Sequence, residues 1–242
     1  MRRFVKKLSA VWLAAACLCL AASAARAQQA AAKQKQKEKV TVTMKDRIEF
    51  AEGGTLNLQG TWGEVTVEGW DQPFVEITLD KTTNKKYAPK NEAQAQKALA
   101  KFGYTVKKDS AASITLAGFQ PSSNLLTRPF GGKSAVKLVY TIKVPRRSNV
   151  NIDHSMGVVA VNDVSGDLAV KNRIGEVSLK LPENGQFTVD ARSKVGDVSS
   201  SARFLGDNGR EHVVGQKLVS RQDERESHRV FVRVQVGAIT VR

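Results

Sequence analysis

Asp163, Asp167, Glu176, Glu183, Asp190 and Asp197 crowd one stretch of the chain, and carboxylates are the residues that glycosidic hydrolysis or calcium coordination would need. Two acids divide that work only when they lie close enough to separate their pKa values. Here Asp167, Glu176 and Asp197 stand next to turn glycines and are interleaved with Lys171, Arg173, Lys180, Arg192 and Lys194. That pattern reads as an outward charged face that keeps strands soluble, and the aspartate-rich glycine nonapeptide of calcium-binding coils is missing. His154, His212 and His228 lack metal-ligand spacing. On a strand Asp153 and His154 would point to opposite faces, so His154 is expected to be structural or solvated and the other two to face water. "GGKS" at 131–134 carries the tail of a phosphate-binding loop without its upstream glycine. No catalytic residue, cofactor site or metal site is therefore assigned, and the chain reads as a non-enzyme.

The basic side of the composition is more informative. The chain has 242 residues, 41% of them hydrophobic, and a formal net charge of +15. Its start, Met1 to Lys7, holds Arg2, Arg3, Lys6 and Lys7; an apolar run reaches Ala25, and "ARA" ends at Ala27. This order of charge, apolar run and small residues reads as a secretory signal over 1–27, with an uncleaved membrane anchor or lipidation at Cys17 as alternatives. Both cysteines, Cys17 and Cys19, lie inside it, so the exported chain would hold no disulfide, thiol nucleophile or cysteine ligand. Its remaining positive charge favours anionic partners: an anionic glycan, lipid headgroups or another envelope protein. Export argues against nucleic acid and places the chain in the periplasm or on the cell surface. Lys85, Lys86, Lys107, Lys108, Arg146 and Arg147 form the candidate anion-binding surface. Residues 28–39, rich in Gln, Ala and Lys, read as a solvated, disordered basic linker.

These side chains must be carried by a repeat of two alternating phrases. In one, an apolar residue precedes glycine: Trp62–Gly63, Met156–Gly157, Ile174–Gly175, Val195–Gly196 and Val236–Gly237. In the other, a turn dipeptide ends in glycine at Gly54, Gly166 and Gly185. Apolar residues two apart follow each, as in Val159 and Val161 or Leu168 and Val170, which puts them on one face of an extended strand. Like phrases recur every 18 to 21 residues. Hairpin pairing in an antiparallel sandwich gives no reason for every second turn to match. A parallel solenoid does, because stacked coils place like corners in one column, so an all-β, single-stranded parallel solenoid over 40–242, with about 18–21 residues per coil, is expected, and an antiparallel β-sandwich is the alternative.

A helix signal in "PKNEAQAQKALAKFG", within an insertion at about 81–135, interrupts the strands, and "YTIKVP" resumes them. "GEVTVEGWD", this insertion, "YTIKVP" and the following ladder together resemble the DUF4097 family, the adhesin or β-solenoid domain of exported and membrane-associated bacterial proteins. The resemblance covers about 40–242. It implies a right-handed β-helix and a surface or adhesion role, and it brings no catalytic residues. The ladder is expected to bulge after Ser200, with a shifted corner at Val214–Gly215. The terminal strand, Ala238 to Val241, is expected to leave an edge that another part of the chain or a second copy must cover. The functional expectation is a non-enzymatic adhesin-like or scaffold module that presents a rigid β face, with a carbohydrate-binding or carbohydrate-active β-helix as the alternative.

Overall fold

A computed structural model describes residues 37–121, 136–201, 204, 207–212, 215–220 and 227–242. The expected signal, most of the linker and the 131–134 loop lie outside the described residues. The rest is almost entirely strand. β1 (Thr41–Glu49), β2 (Thr55–Trp70) and β3 (Phe74–Thr83) precede a 3-10 turn (Pro89–Asn91) and α1 (Glu92–Leu99). β4 (Gly103–Ser110), β5 (Ser113–Phe119), β6 (Val136–Pro145), β7 (Asn149–Asn162) and β8 (Leu168–Lys180) follow. β9 (Phe187–Val195), β10 (Val198–Ser200), β11 (Asp207–His212), β12 (Gly215–Ser220), β13 (His228–Val236) and β14 (Ile239–Val241) complete the chain.

The long strands bend at the predicted corner glycines, and the bends divide one sheet into two walls. Residues before the glycines form the first wall, in the order β4-β5-β2-β7-β8-β13-β9-β12-β11; residues after them form the second, β1-β3-β6-β2-β7-β8-β14-β10. Alternation aims every second side chain between the walls. On the first wall Leu56, Val150, Leu168, Val230 and Val189 stand in one register row; on the second, Tyr140, Val65, Val159, Val177 and Ile239 do the same. All ten are buried in a single core. Each aliphatic member stabilises the fold by about 1.5–3 kcal/mol relative to exposure, so the core is built from continuous files across the strands. α1 covers this core from the side with Ala95 and Leu99. Beyond its end, the buried amine of Lys81 donates to the Phe102 carbonyl at 3.0 Å, and burial pushes that amine's pKa down.

The all-β expectation holds, but the sheet is mixed and unclosed rather than uniformly parallel. β2, β7, β8, β13 and β9 run parallel to one another, whereas β1–β3–β6, β4–β5 and β9–β12–β11 are antiparallel. Nor do the corners stack in chain order: β13 enters between β8 and β9, and β14 between β8 and β10. The terminal strand thus has a neighbour on each side, and self-association through a C-terminal edge loses its basis. Gly215 starts an antiparallel strand instead of a corner, because the chain after Ser200 folds back along the outside of β9.

The corners meet main chain to main chain. Gly157 has φ +133° and Gly175 φ +129°, values that a side chain disfavours. A Cβ on Gly157 would overlap the Gly63 carbonyl oxygen, and one on Gly175 that of Gly157. Gly237 stands in the same way on Gly175, and Gly196 on Gly237. Just inside this column runs a row of buried residues, Thr61, His154, Asn172, Val234 and Ser193. Three of them serve the corner carbonyls. Asn172 Nδ2 donates to Gly157 O at 3.1 Å and Ser193 Oγ to Gly237 O at 2.7 Å. His154 Nε2 lies 3.2 Å from Gly63 O, with Nδ1 2.8 Å from Thr61 Oγ1. A carbonyl can only accept, so Nε2 carries the proton and the Thr61 hydroxyl donates to Nδ1. His154 is therefore a structural residue in the core.

Two predictions follow from this column. Gly157→Ala should lower stability by about 3 kcal/mol, combining backbone strain with main-chain overlap. Gly53→Ala, at φ +75° with open space around it, should cost about 1–2 kcal/mol. Urea titration of both variants measures the contrast, and equal losses would contradict it. The second concerns pH. Burial lowers the His154 pKa from 6.5, so the unfolded chain takes up this proton first. Its contribution is complete above about pH 6.5 and is lost as the pH falls from there through the folded value. The carboxylates held low, Asp71, Asp109 and Asp190, act only below their ordinary 3.8. His154→Asn, imitating Asn172, should flatten the fall in urea midpoint between about pH 7 and pH 5.

Candidate interaction surface

Strand alternation turns one set of residues on the first wall outward, and in-register pairing lines them up. Lys171 on β8, Arg233 on β13, Arg192 on β9 and Lys217 on β12 are mutual register partners. At about 4.8 Å between strands, they form a basic row that changes sign at Asp153 on β7, the partner of Lys171. A second row lies nearer the corner: Arg173, Gln235 and Lys194 each precede one of the register partners Ile174, Val236 and Val195. A depression of about 360 Å³ lies among these groups, lined by Lys171, Arg173, Arg192, Lys194 and Arg233 with Asp153 and Gln235.

One carboxylate organises the centre of this cluster. Asp190 accepts from Arg192 Nε at 2.9 Å and from Arg233 Nη2 at 2.8 Å. Partial burial works to raise the Asp190 pKa, but the hydrogen bonds from Arg233 and Arg192 outweigh it and hold the carboxyl below its usual range. The Arg233 guanidinium also lies over the Phe231 ring, 3.7 Å from its centroid. Two guanidinium groups thus share one negative charge and are fixed in place. Lys171, Arg173 and Lys194 are exposed and make no ion pair with a described carboxylate. The cluster keeps a positive excess.

The corner itself presents an apolar ridge. Met156, Ile174, Val236 and Val195, successive register partners, remain 41–47% exposed, and Trp62 continues the row at half-burial. Immediately past the glycines the sign of charge reverses. Glu64, Glu176 and Asp197 begin the second wall, with Glu64 held by Lys137 at 2.9 Å.

The acids considered from sequence are dispersed over these features. Asp190 belongs to the arginine clamp and Glu176 and Asp197 to the far side of the ridge. Asp163 and Glu183 lie in the connections after β7 and β8, while Asp167 accepts the Arg229 N–H at 2.9 Å and lies 3.6 Å from His228. His212 lies on β11. Among the described residues, no three His, Cys, Asp or Glu are grouped as a metal ion would require. The expected anion-binding residues occupy three separate places. Lys85 and Lys86 follow β3, with Lys85 5.9 Å above the Tyr87 ring; Lys107 and Lys108 are on β4; Arg146 and Arg147 join β6 to β7. Three of the six are paired locally: Lys107 with Asp109 at 2.9 Å, Arg146 with Asp71 at 2.6 Å and Arg147 with Glu52 at 3.4 Å. The Arg146 hydrogen bond holds Asp71 below its usual pKa; Thr115 and then Lys107 do so for Asp109. The sequence reading did not single out the first-wall cations as a site. Their signal was the basic residue one place before the apolar–glycine pair, as in Arg173-Ile174-Gly175 and Lys194-Val195-Gly196.

No protein-family model matches the chain, and no curated protein matches it. Solved structures do. The "putative cell adhesion protein" of Clostridium sporogenes aligns over 84% of this chain and 99% of its own, at 15% identity and a TM-score of 0.51. The "putative adhesin" of Bacteroides fragilis aligns over 83% and 97%, at 12% identity and a TM-score of 0.28. The chain is similar in fold to the first.

Proposed function

We propose that the protein is a non-enzymatic, adhesin-like interaction module that uses the outer face of its first wall to hold an anionic partner. In this reading Met1–Ala27 exports it, residues 28–39 tether the folded part, and it works in the periplasm or at the cell surface. The central parallel strands are the solenoidal part of the fold, wound right-handed as in the DUF4097 proteins that the sequence resembles. The fold shared with the Clostridium sporogenes protein supports the adhesin-like reading.

One observation carries the proposal: charge is sorted by sign across the corner. Lys171, Arg173 and Lys194 gather on one side of the ridge, and Glu176 and Asp197 on the other. Ordinary solvated faces balance the two signs, whereas a face with an excess of one concentrates partners of the other and speeds their arrival. Main-chain pairing on both edges of β8, β13 and β9 holds the cations on a stiff support, so little order need be acquired on binding. Lys85, Lys86, Lys107, Lys108, Arg146 and Arg147 then form an outlying basic set that adds long-range attraction.

The test uses the full chain, expressed with its leader, recovered after processing and mixed with isolated bacterial envelopes. Lys171→Glu combined with Lys194→Glu should reduce sedimented protein roughly tenfold at moderate salt. Ser178→Ala with Thr240→Ala, on the second wall, should leave it unchanged. Retention indifferent to all four substitutions would refute the proposal.

A further inference from the structure

We propose that the ligand of this face is a linear anionic polysaccharide lying across strands β8, β13, β9 and β12, perpendicular to them. This rests on the interaction face assigned above and adds the ligand's chemistry and path. Lys171, Arg233, Arg192 and Lys217 supply one cation per strand in a single register row. At about 4.8 Å per strand the row is roughly 14 Å long, a track for repeated charges rather than a pocket for one anion. Arg173 and Lys194 flank it on the corner side. Asp190 and Phe231 hold the two guanidinium groups in the middle of the track, so these donors are positioned before the ligand arrives.

Beyond Lys171 the chemistry changes from cationic to amide. A second depression, of about 280 Å³, shares Lys171 and Asp153 with the first and is lined by Asn57, Gln59 and Asn151. Amides both donate and accept, which suits sugar hydroxyls. The combination fits a polymer bearing both hydroxyls and carboxylate, sulfate or phosphate groups. A single-stranded nucleic acid stacks its bases on aromatic faces; beside the track the Arg233 guanidinium already occupies one face of Phe231. An anionic bilayer engaging the apolar ridge would also meet Glu176 and Asp197 just beyond it. A second copy of the chain would set this track against like charge if the same faces met.

Titration calorimetry of the full processed chain with alginate and with dextran sulfate tests the proposal. Neutral dextran, inorganic phosphate, poly(U) and phosphatidylglycerol vesicles are the comparison ligands. Alginate or dextran sulfate should bind, neutral dextran and phosphate should not, and affinity should fall with salt at a log–log slope of about −2, as for the roughly three counterions released from Lys171, Arg173 and Lys194. Lys171→Glu with Lys194→Glu should weaken binding roughly tenfold or more and make the slope shallower by one to two. Arg146→Glu with Arg147→Glu should change it less than about twofold. Both double variants replace exposed side chains, so an unchanged urea midpoint certifies their folding. Tighter binding of poly(U), binding of vesicles alone, or equal loss in the two double variants would overturn the assignment. Failure of both polysaccharides while envelope retention still requires Lys171 and Lys194 would reject the polysaccharide and keep the interaction face. Loss of that requirement as well would reject both.

Discussion

The contact between successive corner glycines governs the architecture. Gly63, Gly157, Gly175, Gly237 and Gly196 approach so closely that each occupies the space where the next one's side chain would sit, and their positive φ values turn each winding through the same bend. A corner made this way leaves carbonyl oxygens directed away from the regular ladder. Buried oxygens of that kind need donors, and Asn172, Ser193 and His154 provide them from the row just inside. The glycine column and the polar row are therefore one device. The close approach creates the need that the neighbouring side chains meet, and the aliphatic files on either wall lock the pair in register.

The same bend arranges the surface. In sequence, Arg173 and Glu176 are three residues apart, as are Lys194 and Asp197, and each pair reads as mixed charge. The glycine between the members sends the cation to one wall and the acid to the other. Because Gly175 and Gly196 lie in one column, these separations repeat on the same sides and build an excess of positive charge on the first wall. Backbone geometry converts a locally neutral pattern into a segregated one, which is why reading the charges as an interleaved solvated face missed it. The arginine clamp at Asp190 was equally hidden, since Arg233 lies far along the chain from Asp190 and reaches it only through the pairing of β13 with β9.

Much of the fold was legible because its signals are local. Period-two alternation marked Val159, Val161, Leu168 and Val170 as sharing one face, and the apolar–glycine phrases placed all five corners. Helix signals around Glu92 to Leu99 were likewise contained in a few neighbouring residues. The order of pairing was not legible. Val230, Val232 and Val234 offer β8 the same apolar pattern that Val189 and Ala191 offer, so local pattern alone cannot decide which strand lies next to Leu168 and Val170. The strand order is a property of the whole sheet, in which β13 pairs with both β8 and β9. His154 was read as structural or solvated; it is buried, and its task depends on the Gly63 carbonyl, 91 residues away in sequence.

Intercalation of β13 and β14 has a consequence for how the chain reaches its native state. A coil assembled winding by winding could lengthen as successive segments became available. Here the slot between β8 and β9 is filled by β13, far along the chain from both, so β9 and the strands outside it cannot take their final places until that segment has arrived. Pairing of that kind is non-local, and non-local pairing slows folding. Until residues 228–241 dock, β8 and β9 each keep a bare parallel edge open to any other strand, so the interval before docking is when mispairing is easiest.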